Sequence, residues 1–368
     1  MKIAFLSSFA HLALDEKEER VSGGAELQIA LLAREIANRA IPTVLLSGNT
    51  GQADNFSLAG VRIRNAGNFH TGHFFQMLSA APRLFTLLKE EKPDWVCVLG
   101  WTAWLFYLWF LRKFLGFRLA FICGLDTEVN GEFRRENPLR GTLFEFAMRN
   151  ADARFAMTLH QQQLFHARRM SCGFYRNLIL PRKKPLVSEK KVDFLWVARC
   201  RKIKNPTLFI RLAEAIPEAS FWMICPPEDR LLFEKVQQAA SALPNLTLWQ
   251  SVPYHQIQDY YDAARIFVNT SEWEGWPNSF IQAGLGRAAI LSWKVKPDML
   301  FIDFSLGFCA EGNWSRFLFH ANSLFQNPQL TEKCGREAER FVIELHDNKR
   351  ETDSFLKGLE TFWSKNTE

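Results

Sequence analysis

The chain has 368 residues, 48% of them hydrophobic and 23% charged, a composition ordinary for a soluble globular protein and long enough for two domains with separate cores. Its seven cysteines form no Cys-x-x-Cys pair, and an odd number set mostly in or beside apolar runs points to buried thiols in a reducing cytosol, which excludes a disulfide framework. Residues 1–185 carry 24 Lys and Arg against 16 Asp and Glu and the remainder 21 against 23, so the basic excess lies wholly in the first half; an anionic membrane surface, an anionic acceptor or a merely solvated face would explain it, and no nucleic-acid motif accompanies it.

Along the chain, short apolar runs alternate with helix-length amphipathic stretches, the pattern of an α/β protein. The opening run Met1 to Leu6 is too short for a signal peptide. Strands are predicted at Lys2–Leu6, Thr43–Ser47, Val61–Arg64, Trp95–Leu99, Leu119–Cys123, Arg154–Thr158 and Asn177–Leu180. After the charged loop Asp15 to Arg20, Ser22, Gly23, Gly24, Ala25 and Glu26 open a helix whose apolar face is Leu27, Ile29, Ala30, Leu31, Leu32 and Ile36. The aromatic segment Trp101 to Leu111 stops at Arg112 and Lys113, far short of the roughly 20 residues a membrane span needs; it is either a buried helix or an interfacial contact. Pro181 to Lys191, rich in proline and charge, reads as a linker. Beyond it strands are predicted at Asp193–Ala198, Ser220–Cys225, Leu246–Trp249, Ala264–Val268, Ala288–Ser292 and Gly307–Ala310, and a last helix from Asn348 to Trp363. The expected organisation is one α/β domain over 1–185, a second over 186–347 and a terminal helix over 348–368 that packs back on the first, with a cleft between the two domains.

Three segments carry candidate chemistry. Gly23 and Gly24 before a helix let backbone approach a ligand and leave N–H groups that attract anions. Directly after a strand come Arg199 and Lys204, then Asn205 as N-cap and Pro206 as first helical residue, an arrangement that places two cations near a helix N-terminus where a diphosphate could sit. Arg201 and Lys202 between them read as solvated. The third segment, Ser271 to Gln282, is a strand end, a tight loop with a carboxylate at Glu274, and a helix capped by Asn278. Glu274 would accept hydrogen bonds from sugar hydroxyls, and the backbone of Gly275, Trp276, Pro277, Asn278 and Ser279 would meet phosphate or sugar oxygens. Gln282 falls in the first turn of the helix, facing the same ligand or the core.

Taken together these residues resemble the retaining glycosyltransferases of the GT-B class usually called family 4. Members typically show a Gly-Gly-Ala-Glu helix start, like Gly23 to Glu26; an Arg-x4-Lys pair after the first strand of the second domain, matched by Arg199 and Lys204; and a Glu-x7-Glu motif within a sequence like Glu-Gly-Phe-Pro-Asn, matched from Glu274 through Asn278. The lead-in Tyr260 to Ser271 and the stretch Arg149 to Arg154 are also similar. The resemblance implies two Rossmann-like domains, a nucleotide-diphosphate sugar bound mainly by the second, a glycan or lipid-linked acceptor bound mainly by the first, and transfer with retention at the anomeric carbon. It implies that Arg199 and Lys204 neutralise the leaving diphosphate while Glu274 orients the donor sugar. Neither a metal nor another cofactor is called for.

The chain departs from the family pattern at four places. Gln282 stands where the second acid of the motif holds the nucleotide ribose, which costs about 1 kcal/mol, or about fivefold in donor affinity. A glycine-rich turn is replaced by Cys225-Pro-Pro-Glu228, and a later Gly-Gly by Lys294-Val-Lys296. No histidine follows the strand ending at Cys123, where many relatives carry one near the reacting carbon; Asp126 is the substitute, unless it is only a capping acid. The resulting expectation is a cytoplasmic sugar transferase, at the inner face of the membrane, that builds a surface polysaccharide or glycolipid. Its rivals are a non-catalytic glycosyltransferase-like binding subunit and a GT-B nucleotide-sugar epimerase.

Overall fold

The computed structural model describes residues 1–15, 18, 23–69, 74–180, 189–298 and 300–365. The chain divides into two α/β units, one built from the residues up to Leu178 together with the segment from Asp347 onward, the other from Ile179 to His346.

In the first unit, β1 (Ile3–Ser7), β2 (Thr43–Ser47), β3 (Asn55–Leu58), β4 (Val61–Asn65), β5 (Trp95–Leu99), β6 (Arg118–Ile122), β7 (Ala153–Ala156) and β8 (Gly173–Phe174) form one sheet in the order β3-β4-β2-β1-β5-β6-β7-β8. Every pairing is parallel except β3 with β4. The central strands are apolar along nearly their whole length because helices crossing between parallel strands leave neither face to water. Ile3 of β1 lies opposite Thr43 on one side and Trp95 on the other. The chain thus runs outward from β1 in one direction and resumes at β5 in the other, which makes the carboxyl ends of β1 and β5 a topological switch point.

The helix Asn348–Lys365 completes this unit: Phe355 packs 4.6 Å from the Phe155 ring and 5.2 Å from Tyr175. Glycine is required at 358, because a Cβ there would lie 2.5 Å from the Phe155 ring.

In the second unit, β9 (Val192–Val197), β10 (Phe221–Ile224), β11 (Leu246–Trp249), β12 (Ala264–Asn269), β13 (Ala289–Ser292) and β14 (Gly307–Cys309) form an all-parallel sheet ordered β11-β10-β9-β12-β13-β14. Phe194 of β9 faces Phe221 of β10 and Ile266 of β12, so the switch point here lies between β9 and β12.

Two strands differ from expectation for identifiable reasons. Asn177–Leu180 is not a strand: the Leu178 N–H donates to Gln28 Oε1 at 2.7 Å and Gln28 Nε2 donates to the Leu178 carbonyl at 3.0 Å, so a side-chain amide takes the place of a neighbouring strand. Gly173–Phe174 pairs with β7 instead. Conversely β3 escapes the apolar pattern because it is an edge strand with alternating exposure, folded back on β4 through Ala59 and Gly60, both at positive φ (47° and 77°). The expected linker falls mostly outside the described residues; at its end Lys190 Nζ donates to the carbonyls of Asp262 and Gly286. The aromatic segment becomes the helix Trp104–Leu115, which buries Trp104, Leu105, Leu108 and Leu111 and leaves Phe110 and Phe114 exposed. No described helix is long and apolar enough to cross a membrane.

Candidate functional site

The structure brings Lys204 and Glu274 of the second unit together at its switch point. Past β9, Arg199 opens a loop that passes through a single 3-10 turn at Lys202–Lys204 and enters the helix Pro206–Ala215. Asn205 occupies the N-cap position, but at φ 46° it is left-handed and makes no side-chain cap; its Nδ2 donates to Glu272 Oε1 at 3.3 Å instead. Past β12, the neighbouring loop carries Glu274. Lys204 Nζ lies 2.9 Å from Glu274 Oε2, while Asn269 Nδ2 and Ser271 Oγ donate to Glu274 Oε1 at 2.8 and 2.6 Å.

Further bonds tie the two loops together. The Glu272 N–H donates to the Ile203 carbonyl at 2.9 Å and Thr270 Oγ1 to the Lys204 carbonyl at 2.6 Å, and the buried Trp196 indole fixes Thr270 from below. Lys204 and Glu274 are therefore held in place by the loops that carry them, which is what a site must have to act without reorganising.

Arg199 is placed differently. Its guanidinium lies 3.5 Å from Glu228, which also pairs with Arg201. Burial works against a charged Glu228, but Arg201 and Arg199 outweigh it and hold the carboxyl below the usual carboxylate range. Arg201 is thus a paired cation, whereas Lys202 is exposed, as a solvated lysine would be. Glu228 was visible in sequence only as part of a substituted glycine-rich turn; nothing local reveals that it reaches back to two arginines.

The helix after Glu274 runs Asn278–Leu285, and its cap is Pro277 in extended conformation (φ −72°, ψ 113°), without a side-chain cap bond. This corrects the expectation that Asn278 is the cap: Asn278 is the first helical residue. A cap with no side-chain acceptor leaves the first turn to be satisfied by other groups, and such a helix start suits an anion. Trp276 is buried, its indole 5.1 Å from the His346 ring, and its Nε1 has no hydrogen-bond partner among the described residues. Gln282 is partly buried; its carbonyl accepts from Gln258 Nε2 at 3.0 Å, and its own Nε2 is buried without a partner among the described residues.

The first unit holds a second constellation at its own switch point. Gly23 is the N-cap of the helix Gly24–Ala37, again without a side-chain cap; Ser22 lies outside the described residues. The beginning of this helix borders a cavity of about 270 Å³ outside the carboxyl ends of β1 and β5, lined by Ser7, Glu26, Phe69, Trp101, Thr102 and neighbouring residues. Asp126 stands at the N-cap position of the short helix Thr127–Asn130 without capping it, its Oδ2 3.6 Å from Nε2 of His160. A histidine therefore does stand near this strand end, brought by the helix Leu159–Ala167 that follows β7.

The acid that organises these loops is Glu128, which sequence reasoning passed over. It is 5% exposed and accepts from the backbone N–H groups of Trp101 (2.7 Å), Gly124 (2.8 Å) and Leu125 (3.2 Å). Burial pushes its carboxyl up to about 7 even though the three amides favour the charged form. Among the described residues no group of three or more His, Cys, Asp or Glu is clustered as a metal site would be.

Two family models match the chain: a glycosyl transferase 4-like domain over residues 23–173 and glycosyl transferases group 1 over residues 180–341. No curated protein matches it. Among solved structures, a sucrose-phosphate synthase from Thermosynechococcus elongatus is similar at TM-score 0.81 and 13% identity, covering 99% of this chain and 100% of its own. A variant of TarM from S. aureus, in complex with fondaparinux, α-GlcNAc-glycerol and UDP, is similar at TM-score 0.75 and 11% identity, over 97% of this chain and 99% of its own. WaaG, a glycosyltransferase of lipopolysaccharide biosynthesis, is similar at TM-score 0.71 and 13% identity, over 95% and 97%. At these identities the likeness is one of fold.

Proposed function

The chain is a GT-B-fold member of the glycosyltransferase superfamily, and we propose that it moves a sugar, with retention at the anomeric carbon, from a nucleotide-diphosphate donor to a glycan or glycolipid acceptor. The observation that carries this reading is the meeting of Lys204 and Glu274 at 2.9 Å across the β9/β12 switch point, with Arg199 on the same loop as Lys204. In open α/β sheets, ligands bind outside the carboxyl ends of the strands at such a point. A lysine on the loop that leads into a helix start without a side-chain cap suits a diphosphate, and a carboxylate fixed by Asn269 and Ser271 suits sugar hydroxyls. The UDP in the TarM complex supports a nucleotide donor, and the lipopolysaccharide setting of WaaG supports a surface glycan as product.

In this reading Lys204 and Arg199 exchange their carboxylate partners for phosphate oxygens as the donor binds, and they stabilise the negative charge that builds on the leaving diphosphate. Glu274 orients the donor sugar, Gly275 to Ser279 offer backbone, and Gln282 donates from its Nε2. The proposal includes work at an anionic membrane without a resident metal. Phe110 and Phe114, exposed beside Lys113, and Leu139, Leu143 and Phe146 on the helix Pro138–Arg149 supply apolar and basic contacts for such a surface.

The test is thermal stability with UDP, GDP, ADP, CDP and dTDP, each with a chelator and with magnesium. A ligand at about 100 times its dissociation constant adds about 2.7 kcal/mol, a shift of several degrees or less. Selective stabilisation by one nucleotide in the presence of chelator is the expected result, and no shift with any nucleotide would make the non-catalytic binding subunit the better reading.

A further inference from the structure

The loop past β13 carries two lysines, Lys294 and Lys296, that the transferase chemistry leaves without a part. Lys296 pairs with Glu311, but Lys294 reaches across to the neighbouring loop, where its Nζ donates to Glu272 Oε2. Its stem runs close against the bare Cα of Gly312, which is left-handed at φ 77°; a Cβ there would lie 2.6 Å from Lys294 Cε. The residue before it is also fixed. The Trp293 N–H donates to the Asn269 carbonyl at 2.7 Å, and its ring packs edge-on against Phe317 at 5.5 Å.

Glu272 is where three loops meet. Its Oε1 accepts from Trp293 Nε1 at 3.2 Å and from Asn205 Nδ2 at 3.3 Å, and its N–H donates to the Ile203 carbonyl at 2.9 Å. Ile203 and Asn205 are the two residues that flank Lys204. Asn205 holds a left-handed φ of 46°, which costs a residue with a Cβ free energy and persists only where its surroundings fix it. Its bond to Glu272 is one such restraint. The hydrogen bond from Lys294 holds the Glu272 carboxyl below the usual carboxylate range against the opposing effect of burial. An ionised carboxylate has acceptor sites for all three side-chain donors at once.

Resting on the transferase reading above, we infer that Glu272 and Lys294 are positioning residues. They clamp the loops past β9, β12 and β13 to one another and so hold the Lys204 ammonium where the donor diphosphate binds. Two measurements on the full chain test this: amide hydrogen exchange without ligand, and calorimetric titration with UDP, GDP, ADP, CDP and dTDP. In Glu272→Ala and in Lys294→Met the amides at 204, 205 and 272, which bond to Arg201, Lys202 and Ile203, are expected to exchange about tenfold faster, while β9 and β12 keep their protection. The nucleotide that binds wild type is expected to bind about tenfold more weakly to Glu272→Ala and about threefold more weakly to Lys294→Met, with Glu272→Gln and Lys294→Arg intermediate. In a Lys204→Ala background neither substitution weakens binding further, because the clamp then has no ammonium to place. A further loss in that background overturns the inference, since it would make Glu272 or Lys294 a direct ligand contact. Unchanged exchange at the three amides also overturns it and leaves the transferase reading standing. If wild type binds none of the five nucleotides, the transferase reading falls and exchange alone decides: faster exchange keeps the clamp between the loops, and unchanged exchange removes it.

Discussion

Glu274 in the second unit and Glu128 in the first are both carboxylates just past the carboxyl end of a strand, but they keep different company. Glu274 is met by a lysine and two neutral donors on the loop past β12. Glu128 is enclosed and accepts backbone N–H groups from two loops, so it fixes the backbone of a cavity it does not itself line. The basic excess of the first half suggested that anions would be handled there. Some of that half's cations are engaged with acids of their own: Lys2 and Arg64 meet Glu91, Arg149 and Arg168 meet Glu145, and Arg112 meets Asp152. Net charge counts cations without saying which of them are already committed. The helix start without a side-chain cap and Lys204, paired with Glu274 on the loop before it, lie in the half with no basic surplus.

The comparison breaks most sharply at Lys204. If the second unit is the one that handles phosphate, Lys204→Ala and Glu274→Ala each lower the transfer rate by about a hundredfold to a thousandfold, the usual cost of removing one electrostatic contact to a transition state. Steady-state transfer assays with the nucleotide identified by thermal shift measure the effect. Wild-type rates in both variants would remove the site assignment altogether.

Glu128 gives the next largest effect, and it belongs to stability. Its carboxyl is raised to about 7 in the folded chain from an ordinary 4.5, so the folded state keeps a proton that the unfolded state has lost between those values. Stability therefore falls as pH rises through that window and levels off above it, the opposite of a salt-bridged acid. Glu128→Gln abolishes the slope. It also turns an NH2 group toward backbone N–H donors, at a cost of about 1–3 kcal/mol. Urea unfolding inside and above the window reads both; a variant with unaltered pH dependence would show that Glu128 is ionised throughout, with its three amide bonds outweighing burial.

Much of this arrangement was legible before the fold. Long apolar runs become central strands because parallel sheets bury both faces, and Thr43–Ser47 and Trp95–Leu99 coincide with the strands observed. That Lys204 and Glu274 lie close together was legible because each sits in the loop after its strand, and adjacent strand ends share one edge of a sheet. What stayed hidden depends on partners remote in sequence. Asp126 and Glu128 are two acids in one short turn, and only the backbone of Trp101, 27 residues earlier, distinguishes the structural acid from the other. The strand expected at Asn177–Leu180 was lost to the amide of Gln28, 150 residues away. Asn278 is a good capping residue by type, but the preceding Pro277 holds the extended conformation a cap needs and so takes the position.

Gln282 tests how closely the second unit follows the family pattern. Its Nε2 is buried without a partner among the described residues, so the amide is placed to donate where a carboxylate would accept. Gln282→Glu is expected to tighten the nucleoside diphosphate about fivefold, by about 1 kcal/mol, if the group it meets is a ribose hydroxyl. Isothermal titration with the selected nucleotide measures this, and weaker binding in the variant would show that Gln282 meets a ligand oxygen that only accepts.

The smallest effect sharpens the comparison from the opposite side, by asking whether the second unit's own acids restrain its cations. Glu228 engages Arg199 and Arg201, and a donor diphosphate must compete with it for Arg199. Because the three side chains are a third to a half exposed, the pair is worth only about 0–1 kcal/mol, so Glu228→Gln should tighten nucleoside diphosphate by no more than about fivefold. The same variant should make binding more sensitive to salt, since one more uncompensated cation then faces the ligand. Titrations at low and high ionic strength separate the outcomes. Equal nucleotide affinity and equal salt dependence in wild type and Glu228→Gln would mean that Arg199 never leaves Glu228, and that Lys204 holds the phosphates without it.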